Sequence, residues 1–388
     1  MELILKQYDI PLLRFSATND SSTPEIEVHW INEDQRHLLP LDMELSPEGI
    51  SRWMRRRTIP RNRAYVNRLL AKCGLNANRP MGILALCKGL SVDDSYWVVE
   101  EGFEGTFEKY NLFENRFSEV LALIAFTGYG SSNRSSLASS PEFTTNGMLP
   151  KCWRRISGKV TLYKGGTDGG YNTGAEPYCE YYAAQVAAAM GIDAIPYGLS
   201  QWKGRLCSTC ELFTDIDHAY MPIGNLVQRG GFDAVAAYYE KLGEPFQKAF
   251  RDMLVFDAVI CNTDRHYGNF GFIIDNKTNT IAAPTPLFDH GNSLFNQAGP
   301  EDYKSAEAFQ QYIDTLVPCV YDDFFATAKR FMTDENREQL RKLLGFRFKR
   351  HVRYNLPPKR LKLMEEQVQK RAMRLLEREL ENANISHI

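Results

Sequence analysis

The sequence predicts a two-lobed α+β protein with a strand-rich small lobe, an α-rich large lobe and an additional N-terminal domain. Residues 144–215 contain short alternating patterns that are typical of β-strands, whereas the chain from about residue 232 onward has mainly helical patterns. A serine-rich stretch before the strand-rich block is too polar to pack a core. The predicted N-terminal domain, linker, small lobe and large lobe therefore occupy residues 1–128, 129–143, 144–215 and 216–388.

The composition bounds the class of protein. A chain of 388 residues is long for one core, and contents of 44% hydrophobic and 12% aromatic residues suit a folded protein. No apolar stretch approaches the ~20 residues of a membrane span, and the first residues do not resemble a secretory signal. We therefore expect a cytoplasmic protein without a membrane partner. The eight cysteines are expected to be free thiols, because the single Cys207-x-x-Cys210 pair lacks two further zinc ligands.

The N-terminal domain contains one clear strand pattern and two helix patterns. Residues 25–30 alternate between polar and apolar side chains, as a half-buried strand does. Ser46 can cap a helix that begins at Pro47 and turns its apolar side chains inward. A second helix is predicted over Arg63–Cys73, ended by Gly74.

Positive charge is concentrated in two segments, although the formal net charge is only −2. Residues 52–72 contain eight arginine and lysine residues and no acidic residue, and a second basic run covers Arg341–Lys362. A short helical pair with many arginines allows direct DNA binding as an alternative function, and a solvated helix face explains the same charges.

The residues with the clearest chemistry lie near the two-thirds point of the chain. Asp264 is followed five residues later by Asn269, and Asp289 follows in the motif Phe288–Gly291. Phosphoryl transfer from Mg-ATP needs such a set: one Asp orients and deprotonates an acceptor hydroxyl, while an Asn and a second Asp hold Mg²⁺. Asp and Asn are also common turn formers, so an ordinary polar loop is the alternative interpretation.

Apolar segments on both sides of these residues favour the chemical interpretation. Met253–Ile260 predicts a buried helix that leads into the polar loop. Phe270–Asp275 and Ile281–Leu287 predict a hairpin, and Pro284 and Pro286 would keep its second strand at a sheet edge. Asp289 would then stand just past the end of that strand.

A strand lysine and a helix glutamate come earlier in the chain. Residues 159–164 alternate as a strand that ends at Lys164, and a helix is predicted to begin at Glu180 and to end at Gly191. Kinases require a strand lysine on the phosphates that is tethered by a glutamate of the following helix. The alternative is a surface lysine and a first-turn glutamate that the helix dipole favours.

Residues 208–213 predict a strand that joins the two lobes. The backbone from Glu211 to Phe213 is expected to hydrogen-bond the adenine of ATP.

Together these motifs resemble the HipA-like family of bacterial serine/threonine kinases, whose fold is related to protein kinases and phosphatidylinositol kinases. The resemblance runs from about Thr144 to at least Phe295. The motifs that carry it are Gly147-x-x-Pro150-Lys151, Lys164, Glu180, Asp264 to Asn269 and Phe288-Asp289. It implies a kinase-like fold, with ATP and Mg²⁺ as cofactors.

The resemblance also implies roles for individual residues. Asp264 looks like the catalytic base, and His266 would order the catalytic loop. Asn269 and Asp289 look like the Mg²⁺ ligands, and the remaining ATP-binding candidates are Lys151, Lys164, Glu180, Glu211 and Phe213.

Kinases of this family can autophosphorylate a serine in the loop before the Gly-x-x-Pro-Lys motif. This chain has Thr144 and Thr145 at the corresponding place, with Ser139 and Ser140 slightly upstream, so all four are candidate acceptors. The chain has neither a Walker motif nor a Gly-x-Gly-x-x-Gly motif. The loop from Thr144 to Lys151 is therefore expected to cover the ATP phosphates.

The resemblance further implies a protein substrate, such as a translation component, a small DNA-binding antitoxin as partner, and a toxin–antitoxin or defence role. Two alternative functions stay open. One is a small-molecule or lipid phosphotransferase of the same fold, and the other is a DNA-binding regulator with a kinase-like sensor domain.

Overall fold

An antiparallel sheet of four strands begins the chain. The computed structural model describes residues 1–18, 24–130, 140–170 and 173–377. The sheet has the order β3-β2-β1-β4, with β1 (Glu2–Gln7), β2 (Ile10–Ala17), β3 (Ile26–Ile31) and β4 (Tyr96–Glu100). The strand predicted at residues 25–30 is therefore confirmed as β3. Because successive side chains of a strand point to opposite faces, Val98 belongs to one apolar core and Val99 to another, and the sheet is covered on both faces.

Helices lie between β3 and β4 and directly after β4 in the sequence. They are α1 (Pro47–Arg56), α2 (Val66–Lys72), α3 (Pro80–Cys87), α4 (Phe107–Tyr110) and α5 (Glu119–Thr127). The Ser46 hydroxyl accepts a hydrogen bond from the Gly49 N–H at 3.1 Å, which confirms the predicted cap of α1. The apolar side chains of α1, Ile50, Trp53 and Met54, are buried in the first of the two cores.

The second N-terminal helix is shorter than predicted. It was expected over Arg63–Cys73, but α2 begins only at Val66, because Tyr65 has a left-handed backbone with φ of 60°. Arg63 lies before the helix, and its side chain is buried. The prediction was therefore wrong in the first turn, where a long-range interaction of Arg63 replaces local helix formation.

The next segment consists of two hairpins around one long helix. The elements are β5 (Lys151–Ile156), β6 (Lys159–Gly165), α6 (Glu176–Met190), β7 (Gly198–Trp202), β8 (Arg205–Glu211) and β9 (His218–Pro222). The pairs β5–β6 and β7–β8 are antiparallel. The strand predicted at 208–213 is shifted, since β8 ends at Glu211 and leaves Phe213 outside it.

The cysteines are free thiols, as the sequence predicts. Cys207 and Cys210 lie three residues apart in β8, so their side chains point to opposite faces of the strand. This geometry separates the two thiols of the CxxC motif.

The remaining chain is mainly helical, with one small sheet. Its elements are α7 (Ile223–Leu226), α8 (Gly231–Leu242), α9 (Glu244–Ile260), β10 (Gly271–Asp275), β11 (Thr280–Pro284), α10 (Ala306–Ile313), α11 (Phe324–Phe331), α12 (Asp334–Arg341) and α13 (Pro358–Leu376). Residues 253–260 of α9 are all buried, which confirms the predicted helix. Strand β11 lies at the edge of the sheet β11-β10-β9, as Pro284 and Pro286 predict, but it ends at Pro284, three residues before the predicted end at Leu287.

The chain divides into two units, each built from separate stretches of sequence. The first unit comprises Met1–Lys164, Glu211–Met221 and Phe272–Ala282, and the second unit comprises Gly165–Cys210, Pro222–Gly271 and Ala283–Ile388. The four contiguous segments expected from the sequence stay a prediction. Within the part of the chain that the structure describes, no helix is both long and apolar enough to cross a membrane.

The half-buried carboxyl group of Asp93 makes the stability of the first unit depend on pH. Burial raises the pKa of Asp93 to about 6, and the neighbouring Asp94 carboxylate raises it further, whereas a hydrogen bond from the Ser91 hydroxyl lowers it. The folded protein therefore binds this proton more tightly than the unfolded chain, in which the pKa lies near 3.8. The stabilisation from this group is complete below about pH 4 and is lost as the pH rises through about 6.

Replacing Asp93 with Asn should therefore remove the free-energy cost of ionising this carboxyl group in the folded protein. At pH 7.5 the free energy of unfolding of Asp93→Asn is expected to exceed that of the unmodified protein by on the order of 1–3 kcal/mol, and the difference should shrink toward pH 4. Urea unfolding followed by circular dichroism at both pH values measures it. Asp34→Asn, at an exposed carboxyl group, is the control. A difference that does not change with pH would contradict the assignment.

Candidate active site

The loop that follows α9 carries the most clearly organised polar cluster of the second unit. Helix α9 ends at Ile260, and Cys261 takes a left-handed backbone with φ of 52° that turns the chain. The Asn262 N–H donates to the Asp257 carbonyl at 3.1 Å, and the Asn262 amide donates to the Asp257 carboxylate at 3.1 Å. These hydrogen bonds therefore fix the loop to the buried C-terminal turns of α9.

An ion pair between Asp257 and Arg265 lies inside this loop. The two side chains are 0% and 1% exposed, and two hydrogen bonds join them, from Arg265 Nε to Oδ2 at 2.9 Å and from Nη2 to Oδ1 at 3.0 Å. Burial lowers the pKa of Arg265, but the Asp257 carboxylate more than offsets this effect and holds the pKa above its usual value. The guanidinium meets the carboxylate in a bidentate geometry that only arginine provides.

The same guanidinium joins two parts of the candidate site. Its Nη1 donates to the carbonyl of Asn269 at 3.1 Å and to the carbonyl of Phe288, the residue before Asp289, at 2.6 Å. Its Nη2 also lies 3.1 Å from His290 Nδ1. The structure thus brings the Asp264–Asn269 loop and the Asp289 segment together around one buried cation, as the sequence motifs predict.

The Asp264 carboxylate is held by a residue that the sequence analysis missed. Asn292 Nδ2 donates to Asp264 Oδ2 at 2.8 Å, and Asn296 Nδ2 donates to the Asn292 side-chain oxygen at 2.8 Å. The Asp264 N–H donates to Asn262 Oδ1 at 3.1 Å. One carboxylate oxygen is therefore fixed, and Oδ1 has no hydrogen-bond donor among the described residues. The only signal in the sequence was the position of Asn292, three residues after Asp289.

Hydrogen bonds fix the side chain of Asn269 and the backbone of Asp289. The Asn269 side-chain nitrogen donates to the Asp264 carbonyl at 3.2 Å, which turns its oxygen away from that carbonyl. Asp289 has a left-handed backbone with φ of 56°, and its N–H donates to the Tyr197 hydroxyl at 3.0 Å. A strained backbone of this kind needs such support, because it costs on the order of 1–3 kcal/mol.

These two residues fit Mg²⁺, because amide and carboxylate oxygens are the hard ligands that it prefers. Among the described residues, no three His, Cys, Asp or Glu side chains form a ready-made metal cluster. Mg²⁺ does not require one, since it usually keeps several waters and takes one or two carboxylates together with substrate phosphates.

His266 shapes the turn of the loop. Its ring Nδ1 accepts a hydrogen bond from the Gly268 N–H at 3.0 Å, and its carbonyl accepts one from the Asn269 N–H at 2.9 Å. The ring itself is exposed. The expected role of His266 in ordering the catalytic loop stays a prediction.

Three comparisons with known proteins bear on this site. No family model matches the chain. A serine/threonine-protein kinase from Helicobacter pylori, CtkA, is 28% identical over 137 residues, which cover 31% of this chain and 41% of that relative, so the chain spans less than half of its length.

Two solved structures are similar to the model. The toxin–antitoxin complex of HipA with HipB and operator DNA from Shewanella oneidensis aligns with a TM-score of 0.51 at 14% identity, over 96% of this chain and 97% of that chain. The crystal structure of H. pylori CtkA aligns with a TM-score of 0.48 at 15% identity, over 63% of this chain and 94% of that chain.

This chain has the fold of the HipA-like kinases. The resemblance and the α+β kinase-like fold class that the sequence predicts are therefore confirmed.

In this HipA-like fold, Glu180 lies deep inside the second unit. It occupies the second turn of α6, because the helix begins at Glu176 and not at Glu180 as predicted. Glu180 is 0% exposed and accepts a hydrogen bond from the Ser208 hydroxyl. Gly291 permits the approach of the Asp289 segment, since a Cβ atom there would lie 3.2 Å from Glu176 Cβ and 3.5 Å from Glu180 Oε1.

Lys151 and Lys164 lie in the first unit as direct partners across the β5–β6 hairpin. Directly opposed residues of an antiparallel pair share a face of the sheet. Both side chains are only 6% exposed, so two cationic side chains lie on one face of the hairpin. Lys151 Nζ donates to the Asn146 carbonyl at 2.9 Å.

Glu211 and Phe213 also belong to the first unit. The exposed Glu211 side chain pairs with Lys159 at 2.7 Å. Contact of the Glu211–Phe213 backbone with adenine stays a prediction.

The candidate autophosphorylation residues are engaged in local hydrogen bonds. The Thr144 hydroxyl donates to the Leu90 carbonyl at 2.9 Å, and the Thr145 hydroxyl donates to the Pro141 carbonyl at 2.7 Å. The buried Ser140 hydroxyl caps a short 3₁₀ helix. Ser139 lies outside the described residues. Phosphorylation stays a prediction for all four residues, and at Thr144, Thr145 and Ser140 it requires local rearrangement.

The buried Asp257–Arg265 pair should dominate the stability of the loop. Arg265→Met leaves the Asp257 carboxylate buried without its partner and is expected to cost about 3–5 kcal/mol in the free energy of unfolding. Arg330→Met is the control, because it breaks an ion pair with Asp233 whose side chains are 64% and 79% exposed, and it should cost less than about 1 kcal/mol. Chemical denaturation measures both losses, and similar small losses would refute the dominant role of the buried pair.

Proposed function

We propose that this chain is an ATP- and Mg²⁺-dependent serine/threonine protein kinase of the HipA-like type. One observation carries the proposal: Arg265 binds the carbonyl of Asn269 and the carbonyl that precedes Asp289, so one buried guanidinium holds the backbone at both proposed Mg²⁺ ligands. The HipA-like fold and the 28% identity to the kinase CtkA support it.

Asp264 acts as the base in this proposal. Asn292 holds its Oδ2 at 2.8 Å, which leaves Oδ1 to accept the proton of a serine or threonine hydroxyl. Transfer of the γ-phosphoryl group then depends mainly on positioning and on electrostatic stabilisation. The fixed carboxylate supplies the orientation of the acceptor.

Asn269 and Asp289 hold Mg²⁺ through their side-chain oxygens. The bound ion would neutralise charge on the ATP phosphates. The chain contributes the fixed backbone of both ligands, through the Arg265 bonds and through the Tyr197 hydroxyl that accepts the Asp289 N–H.

The opposed lysines Lys151 and Lys164 contact the phosphates in this proposal. They are cross-strand partners on one face of the β5–β6 hairpin, so both side chains are placed to bind one polyanionic ligand. The expected tether of Lys164 by Glu180 belongs to the same proposal, as does adenine binding at Glu211 and Phe213.

The neighbouring HipA structure contains HipB and operator DNA. We extend to this chain a small antitoxin partner, a protein substrate, and autophosphorylation near Thr144. These three properties rest on the likeness to the family.

Replacing Asp264 with Asn should abolish phosphoryl transfer and leave nucleotide binding intact, because the amide keeps the shape of the side chain and cannot act as a base. Radiolabelled ATP with Mg²⁺, followed by phosphosite mapping, measures turnover, and a fluorescent ATP analogue measures binding. We expect turnover to fall at least ~100-fold. Asp233→Asn, at an exposed carboxyl group of α8, is the control.

Full turnover by Asp264→Asn would exclude this base. Binding of Mg-ATP without phosphorylation of any protein would favour the small-molecule or lipid phosphotransferase. Failure of the unmodified protein to bind nucleotide would favour the DNA-binding regulator.

Asp289→Asn should weaken the use of Mg²⁺, because a neutral amide replaces the carboxylate ligand. The Mg²⁺ concentration at half-maximal ATP turnover is expected to rise about 10-fold or more. A Mg²⁺ titration at constant ATP measures it, with Asp193→Asn as an exposed control in the same unit. An unchanged Mg²⁺ requirement would remove Asp289 from the proposed metal site.

A further inference from the structure

The first unit contains a buried ion pair that joins two parts of the chain far apart in sequence. Arg63 and Glu142 are both 0% exposed, and Arg63 Nη2 donates to Glu142 Oε2 at 2.7 Å. Arg63 precedes α2 in the N-terminal domain, whereas Glu142 lies 79 residues later, in the loop that leads into β5. We define residues 140–151 as the Lys151 loop.

The other hydrogen bonds of Arg63 also go to the Lys151 loop. Nη1 donates to the carbonyls of Glu142 and Thr145 at 3.2 and 2.9 Å, and Nη2 donates to the carbonyl of Lys151 at 2.7 Å. One guanidinium therefore fixes three carbonyl groups of the loop as well as its one buried carboxylate. A lysine at this position could not serve this planar arrangement of acceptors.

Glu142 connects the loop to the hairpin. Its Oε1 accepts a hydrogen bond from the Trp153 N–H in β5 at 2.9 Å, and Trp153 Nε1 donates to the Thr145 hydroxyl at 3.0 Å. On the other side, the Ala64 N–H donates to the Met148 carbonyl at 2.8 Å. The segment around Arg63 thus holds the loop at several points.

The shape of this loop determines the surroundings of Lys151. Gly147 has a left-handed backbone with φ of 91°, and a Cβ atom there would lie only 2.2 Å from Lys151 Nζ. Lys151 Nζ donates to the Asn146 carbonyl at 2.9 Å. The loop therefore folds closely over the ammonium group, and its backbone supplies a direct acceptor for that group.

We propose that Arg63 is a positioning residue for the ATP phosphates: it locks the Lys151 loop in the shape that presents Lys151, so that the N-terminal domain sets the affinity for nucleotide. This inference rests on the proposed kinase function. It assigns to the N-terminal domain a part in the phosphate site that the sequence motifs did not indicate.

The test compares two buried arginines of the same unit in the full chain. Arg63→Lys keeps the positive charge beside Glu142 and removes most of the contacts with the loop. Arg57→Lys is the matched control, since Arg57 is also buried, is bidentate to Asp94, and donates to the carbonyls of Gly89 and Tyr96, none of which lies in the loop.

A fluorescent, non-hydrolysable ATP analogue with Mg²⁺ measures the dissociation constant, and a thermal melt measures stability. Arg63→Lys should raise the dissociation constant about 10-fold, which corresponds to about 1.4 kcal/mol. Arg57→Lys should lower the melting temperature to a similar extent. It should change the dissociation constant less than about 2-fold, as a substitution remote from the nucleotide does. Equal changes in affinity for both variants would show that Arg63 acts through stability alone and would overturn the inference.

Hydrogen exchange measures how firmly Arg63 holds the Lys151 loop in the absence of nucleotide. The amide of Trp153, which donates to Glu142, and the amide of Ala64, which donates to Met148, should exchange faster in Arg63→Lys and not in Arg57→Lys. Faster exchange with an unchanged dissociation constant would overturn the inference, because the loop would then be loosened without effect on phosphate binding.

A second variant covers the case in which Arg63→Lys fails to fold. Burial raises the pKa of Glu142 although Arg63 opposes this effect, so the neutral isostere Glu142→Gln is the milder change at this pair. It should weaken binding in the same direction as Arg63→Lys, and an unchanged affinity would overturn the inference. Failure of the unmodified protein to bind Mg-ATP would refute the proposed function itself. That result is distinct from unchanged affinity in the variants, which would refute only the role of Arg63.

Discussion

The second unit depends on the buried pair of Asp257 and Arg265. Both charges are withdrawn from water, which is costly, and the cost is offset only because the pair is bidentate and the remaining guanidinium protons find acceptors. Those acceptors are the carbonyls of Asn269 and Phe288. By satisfying its hydrogen-bond donors, one buried arginine therefore holds the Asp264–Asn269 loop and the Asp289 segment together.

The first unit contains two further buried arginines that each bind a carboxylate and backbone carbonyls. Arg57 binds Asp94 and two carbonyls, and Arg63 binds Glu142 and three carbonyls. The arginines that looked like a basic surface in the sequence thus include two buried side chains of the domain. This burial weakens the case for a DNA-binding helical pair, because Arg57 and Arg63 are committed to internal contacts.

Sequence patterns predicted helices and strands well where interactions between residues close in sequence determine them. Ser46 caps α1, residues 253–260 form a buried helix, and the strand that contains Pro284 lies at a sheet edge, as their sequences indicated. Boundaries were wrong where tertiary contacts compete with propensity. The helix expected from Arg63 begins at Val66, because Arg63 is drawn into the Lys151 loop, and α6 extends four residues before Glu180.

The sequence by itself determined the fold class, the order of Asp264, Asn269 and Asp289, and the candidate lysines Lys151 and Lys164, because residue type and short spacing carry that information. The tertiary structure alone decided which residues support them. Asn292 for Asp264, Tyr197 for Asp289 and Arg63 for Lys151 are paired across 28, 92 and 88 residues. Such pairings depend on where the folded chain brings buried donors and acceptors together, and no local periodicity encodes that proximity.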